Sequence, residues 1–112
     1  MLANAHTAII LFDPYNEFLH PKGKIYPLVS ESSEATDAIK HMKELIEIAR
    51  AAHIPIYYGL HQQYKDGNYD GWKYMAPPHV RCKTLRAFEE GADIYEGMQP
   101  DISKGDVVVS KH

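Results

Sequence analysis

Asp13 and Lys111 are the residues whose settings in the sequence point to chemistry. Asp13 closes an apolar run from Ala8 to Phe12, and Pro14 follows it. A short apolar run ending in an acid suits a strand buried on both faces, with the carboxylate at its carboxyl end. Pro14 has no N–H for a sheet ladder and disfavours the helical region for Asp13, so the strand stops there. Lys111 closes a second such run, Asp106 to Lys111, whose Val107, Val108 and Val109 favour β structure. Ligands of open α/β sheets sit beyond the carboxyl ends of the strands. If both strands run parallel in one sheet, the acid and the lysine share one edge, where such a pair can be held ready for a third group. An Asp before a chain break also serves simply to shape the turn, and Asp13 alone reads either way.

Positioning these two residues requires a frame of strands and helices. Pro21 to Val29 reads as a loop, punctuated by Pro21, Gly23 and Pro27. Ser30, Ser32 and Ser33 offer helix N-caps, with Glu31 and Glu34 near the positive end of the dipole. Ala35, Ala38, Ile39, Met42, Leu45, Ile46 and Ala49 then form one apolar stripe at helical period, a core-facing pattern, with His53 and Pro55 ending the helix. Ile54 to Leu60 reads as the next strand. Strand, helix and strand at these lengths predict a right-handed βαβ unit with parallel strands. From His61 to about Gly105 the chain reads as irregular, with a short helix over Arg81 to Glu90 whose Leu85 and Phe88 face inward. A loop region this long inside a compact domain is usually functional or lid-like.

The composition narrows the function classes. A chain of 112 residues is one domain rather than two. Net charge is −3 at pH 7, which argues against a nucleic-acid or anionic-membrane surface, including nucleic-acid binding through the Tyr/Trp-rich stretch with Lys65 and Lys73. No apolar run reaches the length of a membrane helix. The first residues lack a basic region ahead of the apolar stretch, so a signal peptide is not expected. Cys82 is the one cysteine, which rules out an intrachain disulfide and makes a reducing, cytoplasmic setting the default. Phe18 follows Asp13 closely enough to line a pocket beside it, and Asn16 suits hydrogen bonding to the turn or to Asp13. Trp72, with Tyr69 and Tyr74, either walls a substrate pocket or packs a loop.

The ordered set of these motifs resembles the isochorismatase-like cysteine hydrolases, which include nicotinamidases and other amidases. In that family the first strand ends in Asp followed by a Gln-Asn-Asp-Phe-like run. Here Asp13-Pro14-Tyr15-Asn16-Glu17-Phe18-Leu19 fits, with Tyr15 in place of the usual Gln. The family's lysine closes the third strand in a Val-Val-x-Lys-His pattern, matched by Val108-Val109-Ser110-Lys111-His112. Phe88-Glu89-Glu90-Gly91, then Pro100-Asp101-Ile102 and Gly105-Asp106, are similar to the segment before that strand. The resemblance spans nearly the whole chain.

It implies a Rossmann-like three-layer α/β fold with a parallel sheet and helices on both faces, of which residues 1–112 would be the N-terminal part of a single domain with its first three strands in the order 3-2-1. It also implies a triad of Asp, Lys and Cys acting on an amide, carbamoyl or vinyl-ether bond of a small molecule. By resemblance Asp13 takes the thiol proton and Lys111 favours the thiolate. Such help is needed because a free thiol, with a pKa of about 8.5, is mostly protonated at neutral pH.

The family's nucleophilic cysteine follows the fourth strand, and Cys82 does not occupy that position. Cys82 therefore reads as a structural or incidental thiol, and the chain as supplying Asp and Lys only. Metal-binding relatives carry an Asp-x-His pair after the second strand. His61-Gln62-Gln63-Tyr64 lacks that spacing, so His61 reads as a pocket residue and neither a metal nor another cofactor is expected. In the family order the first strand is central, so its outer edge would be open here. An open apolar edge invites pairing, and the expected partner is a second copy of the chain or another polypeptide. The competing reading is a catalytically inactive paralogue that binds or oligomerises.

Overall fold

The apolar run before Asp13 becomes the first strand of a three-stranded parallel sheet. In the computed structural model, the described residues are 6–61, 63–67, 69–89 and 91–111, with Lys111 described by its backbone only. The elements run β1 (Ile9–Phe12), α1 (Asn16–Leu19), α2 (Tyr26–Thr36), α3 (Ala38–Ala51), β2 (Ile56–His61), α4 (Pro77–Leu85), a 3-10 turn (Ile102–Lys104) and β3 (Val107–Lys111). The sheet order is β1-β2-β3, which is the expected 3-2-1 counted from the other edge. Ile9 to Phe12 align with Ile56 to Gly59, and Tyr57 to His61 align with Val107 to Lys111. This register puts the ends of all three strands on one edge.

One face of the sheet is the core. Leu11, Ile56 and Tyr58 pack against Ile46 and Ala49 of α3 and against Met98. The apolar stripe turns these α3 residues inward, and each large aliphatic side chain so buried is worth roughly 1.5–3 kcal/mol. The Tyr58 hydroxyl, buried with them, donates to the Met98 carbonyl at 2.7 Å. Arg50, near the end of α3, reaches Asp106 at 2.6 Å and so ties the helix to the start of β3.

Burial on both faces is corrected for β1. The alternate residues Ile10 and Phe12 are 63% and 62% exposed, and their same-face neighbours Tyr57, Val107 and Val109 are exposed as well. The helix layer expected on each face is thus present on the α3 face, while these side chains of the other remain open to solvent.

The helices also differ in detail. Residues from Tyr26 are helical rather than looped, because Pro27 falls in the first turn of α2, where its missing N–H costs nothing. Ser30, Ser32 and Ser33 therefore lie inside α2 instead of capping it. The continuous helix expected across Ala35 to Ala49 breaks at Asp37, whose φ is 52°. The helix expected over Arg81 to Glu90 starts earlier, at Pro77-Pro78, and ends at Arg86 in the left-handed region with φ 51°. Leu85 is consequently exposed rather than inward, whereas Phe88, past the helix, is buried.

Candidate active site

Three residues stand in a row along the carboxyl edge of the sheet. Asp13 follows β1, His61 ends β2, and Lys111, aligned with His61, ends β3. The lysine side chain, and any pairing of it with Asp13, lies outside the described residues.

Asp13 adopts a left-handed conformation, φ 51°, that turns the chain out of the strand. Its N–H still donates to the Gly59 carbonyl at 3.2 Å, and its carbonyl accepts from Tyr15 N–H at 2.7 Å across Pro14. Asp and Asn tolerate this region better than other side chains. The Asp13 carboxylate accepts the His61 N–H at 3.0 Å, and the Tyr15 hydroxyl donates to the His61 carbonyl at 2.6 Å. One peptide segment at the end of β2 thus fixes both the acid and the tyrosine. Burial, and then the charge of Asp13, push the Tyr15 phenol up to about 12, so it stays a donor at neutral pH.

The His61 ring stacks on Phe88, with ring centres 4.6 Å apart, and Phe18 and Tyr15 pack on the same phenyl group. Phe88 is held by Glu17. This carboxylate is 1% exposed and accepts the Phe88 N–H at 2.5 Å and the Lys24 N–H. Two glycines make room for it. A methyl on Gly91 would sit 2.7 Å from the Glu17 carboxyl carbon, and one on Gly23 would overlap the Asn16 and Glu17 carbonyls. The buried acid therefore joins α1 to two loops that shape the site.

Above the sheet edge lies a cavity of about 600 Å³. Asp13 and His61 line it from the sheet, Phe18 from α1, and Ile25 and Leu28 from the start of α2. Phe88 lines it too, and α4 contributes Pro77, Pro78, His79, Arg81 and Cys82. An apolar pocket with a few convergent polar groups is the usual form of a small-molecule site. The Cys82 thiol is half-buried, and burial followed by the nearby charge of Glu17 pushes it toward the neutral form.

Of the residues singled out in the sequence, the cavity brings Asp13, Phe18 and His61 together. Asn16 faces a different groove, beside His20, Asp93 and Tyr95, and engages the turn through its backbone. Trp72 packs edge-on against Tyr69 and His79, one layer behind the cavity wall. Sequence reasoning overlooked Glu17, His79 and Arg81. The Pro77-Pro78 pair, a helix-start signal, would have brought His79 and Arg81 into one early turn of α4. Among the described residues, no three His, Cys, Asp or Glu side chains gather as a metal would require. No helix there is long and apolar enough to cross a membrane.

Solved structures share the fold. A cysteine hydrolase from Pseudomonas syringae pv. phaseolicola 1448A superposes with a TM-score of 0.67 at 21% identity, covering 98% of this chain and 48% of that one. N-carbamoylsarcosine amidase from Thermoplasma acidophilum gives 0.58 at 23% identity, with 95% and 51% covered. An isochorismatase from Pseudomonas putida KT2440 gives 0.58 at 21%, with 98% and 44% covered. The chain thus spans about half the length of these neighbours. No curated protein sequence matches it. The isochorismatase domain model matches residues 7–112, and on that match the chain belongs to the isochorismatase family.

Proposed function

We propose that this chain supplies the acid and the lysine of a cysteine hydrolase that cleaves an amide, carbamoyl or vinyl-ether bond in a small molecule. The observation that carries the reading is Asp13, fixed on the His61 N–H at the floor of the cavity and in line with Lys111 along the sheet edge. In this scheme Asp13 takes the proton of a cysteine thiol, and the positive charge of Lys111 stabilises the thiolate. For an amide or carbamoyl substrate, the thiolate adds to the carbonyl carbon, the C–N bond breaks, and Asp13 returns the proton to the departing nitrogen. Water then adds to the thioester, Asp13 takes its proton, and the thiol is released with the acid product.

In this reading the thiol comes from another segment, because burial and then the charge of Glu17 push the Cys82 thiol toward its neutral form. That segment belongs against the open face of Ile10, Phe12 and Val109 and the outer edge of β1, as part of a continuous sheet. The neighbours, about twice as long, support this arrangement. A cysteine-based reaction on small molecules suits the cytoplasm, where thiols stay reduced.

The same open apolar face favours a second reading, in which the chain is inactive and uses that face to bind or oligomerise. The two part on turnover. The natural assembly should release ammonia from a panel of primary amides and N-carbamoyl acids, or the enol-derived product from vinyl ethers. Asp13→Asn and Lys111→Ala should each lower kcat about 100-fold or more. Turnover indifferent to both substitutions would remove the first reading, and a wholly inactive assembly would leave the second.

A further inference from the structure

Where β1 ends beside β2, the hydrogen-bond ladder passes from backbone to side chains. The last regular bond runs from the Asp13 N–H to the Gly59 carbonyl, at 3.2 Å. In a regular parallel ladder at this register, the His61 N–H would next donate to the Asp13 carbonyl, and the Tyr15 N–H to the His61 carbonyl. Instead the Tyr15 N–H donates to the Asp13 carbonyl at 2.7 Å, across Pro14. The side chains of the same two residues take over the missing rungs. The Asp13 carboxylate accepts the His61 N–H at 3.0 Å, and the Tyr15 hydroxyl donates to the His61 carbonyl at 2.6 Å. The N–H and carbonyl of one strand residue point to the same neighbouring strand, so the acid and the tyrosine grip His61 from one side.

We infer that Tyr15 is a positioning residue for Asp13: its hydroxyl holds the His61 carbonyl and thereby keeps the His61 N–H on the carboxylate. This rests on the reading of Asp13 as the group that takes the thiol proton. Tyr15 acts through His61 and needs no contact with substrate. It is 3% exposed, and its ring packs edge-on against Phe88 with centres 5.8 Å apart. The hydroxyl is therefore a fixed post rather than a mobile arm. With the phenol pushed up to about 12, its donor proton is present throughout the neutral range. Asp13 turns out of the strand at φ 51°, beyond the last backbone rung, so the side-chain rung ties its carboxylate to β2. The His61 ring is held separately, by stacking on Phe88 at 4.6 Å, which limits the effect of losing the hydroxyl to about that of one hydrogen bond.

Tyr15→Phe isolates the hydroxyl, because the ring and its packing on Phe88 remain. In the natural assembly, turning over primary amides or N-carbamoyl acids, kcat per titrated active site should fall about tenfold with KM unchanged. Added to Asp13→Asn, the same substitution should change kcat by less than about twofold, because the base it serves is already gone. The second readout needs no turnover. In the 112-residue chain, the His61 amide proton signal should move upfield in Tyr15→Phe, toward its position in Asp13→Ala. An unchanged kcat, a rise in KM alone, an equal loss in both backgrounds or an unmoved His61 signal would each overturn the assignment. Turnover that survives Asp13→Asn would sink the hydrolase reading instead, and the His61 signal would then decide by itself whether Tyr15 holds the carboxylate in place.

Discussion

At the scale of single residues, Asp13 owes its place to the backbone that turns around it. Its left-handed φ of 51° aims the carboxylate at the His61 N–H, and asparagine tolerates that conformation and can accept the same hydrogen bond. Asp13→Asn should therefore keep the fold, with a melting temperature near that of the parent, while catalysis collapses. Tyr15 permits a prediction in pH. Its phenol titrates near 12 in the fold and near 10 when unfolded, so the unfolded chain gives up its proton first. The contribution is full below pH 10 and is lost as pH rises toward 12. Tyr15→Phe should lose the 2.6 Å bond to the His61 carbonyl, at a cost of about 1–2 kcal/mol at pH 7, and should show a shallower fall in stability between pH 10 and 12 in urea titrations. Asp13 was legible in the sequence because an apolar run, an acid and a proline announce the end of a strand. The burial of Phe88 was legible too, but not its route: it is reached through left-handed turns at Arg86 and at Phe88 itself, and neither residue type signals such a turn.

At the scale of elements, two buried acids hold the frame. Glu17 joins α1 to the loops at Lys24 and Phe88, and its loss leaves two backbone donors without their acceptor. Glu17→Ala should cost about 2–4 kcal/mol by chemical denaturation, and Glu17→Gln, which keeps one acceptor oxygen, clearly less. Asp106 is 4% exposed and receives both Arg50 and the Asp101 N–H. Asp106→Ala strands the Arg50 charge in a partly buried setting and should cost about 3–5 kcal/mol. The strands and α3 were readable from apolar period alone, because burial against the sheet selects that period. The start of α2 was missed because Pro27 reads as a loop residue until it is placed in a first helical turn. The start of α4 was missed for the same reason, with Pro77 and Pro78 opening the helix that was expected only from Arg81.

At the scale of the whole molecule, the sheet carries a covered face and an open one. Ile10, Phe12, Tyr57 and Val109 form an exposed apolar surface beside the outer edge of β1. Such a surface promotes association. The 112-residue chain alone should self-associate with rising concentration in sedimentation velocity, and Phe12→Lys with Val109→Lys should shift it toward the monomer without loss of helical signal. Parallel order was legible from strand, helix and strand spacing. The bareness of one face was not, because an unbroken apolar strand looks the same in sequence whether both its faces or one is covered.

The central claim is that Asp13 and Lys111 activate a cysteine lying outside this segment. The most direct test is a mass spectrum of the natural assembly, quenched during turnover and digested. The account predicts an acyl adduct on a cysteine outside these 112 residues, lost in Asp13→Asn. An adduct on Cys82, or steady turnover with no cysteine adduct at all, would contradict it.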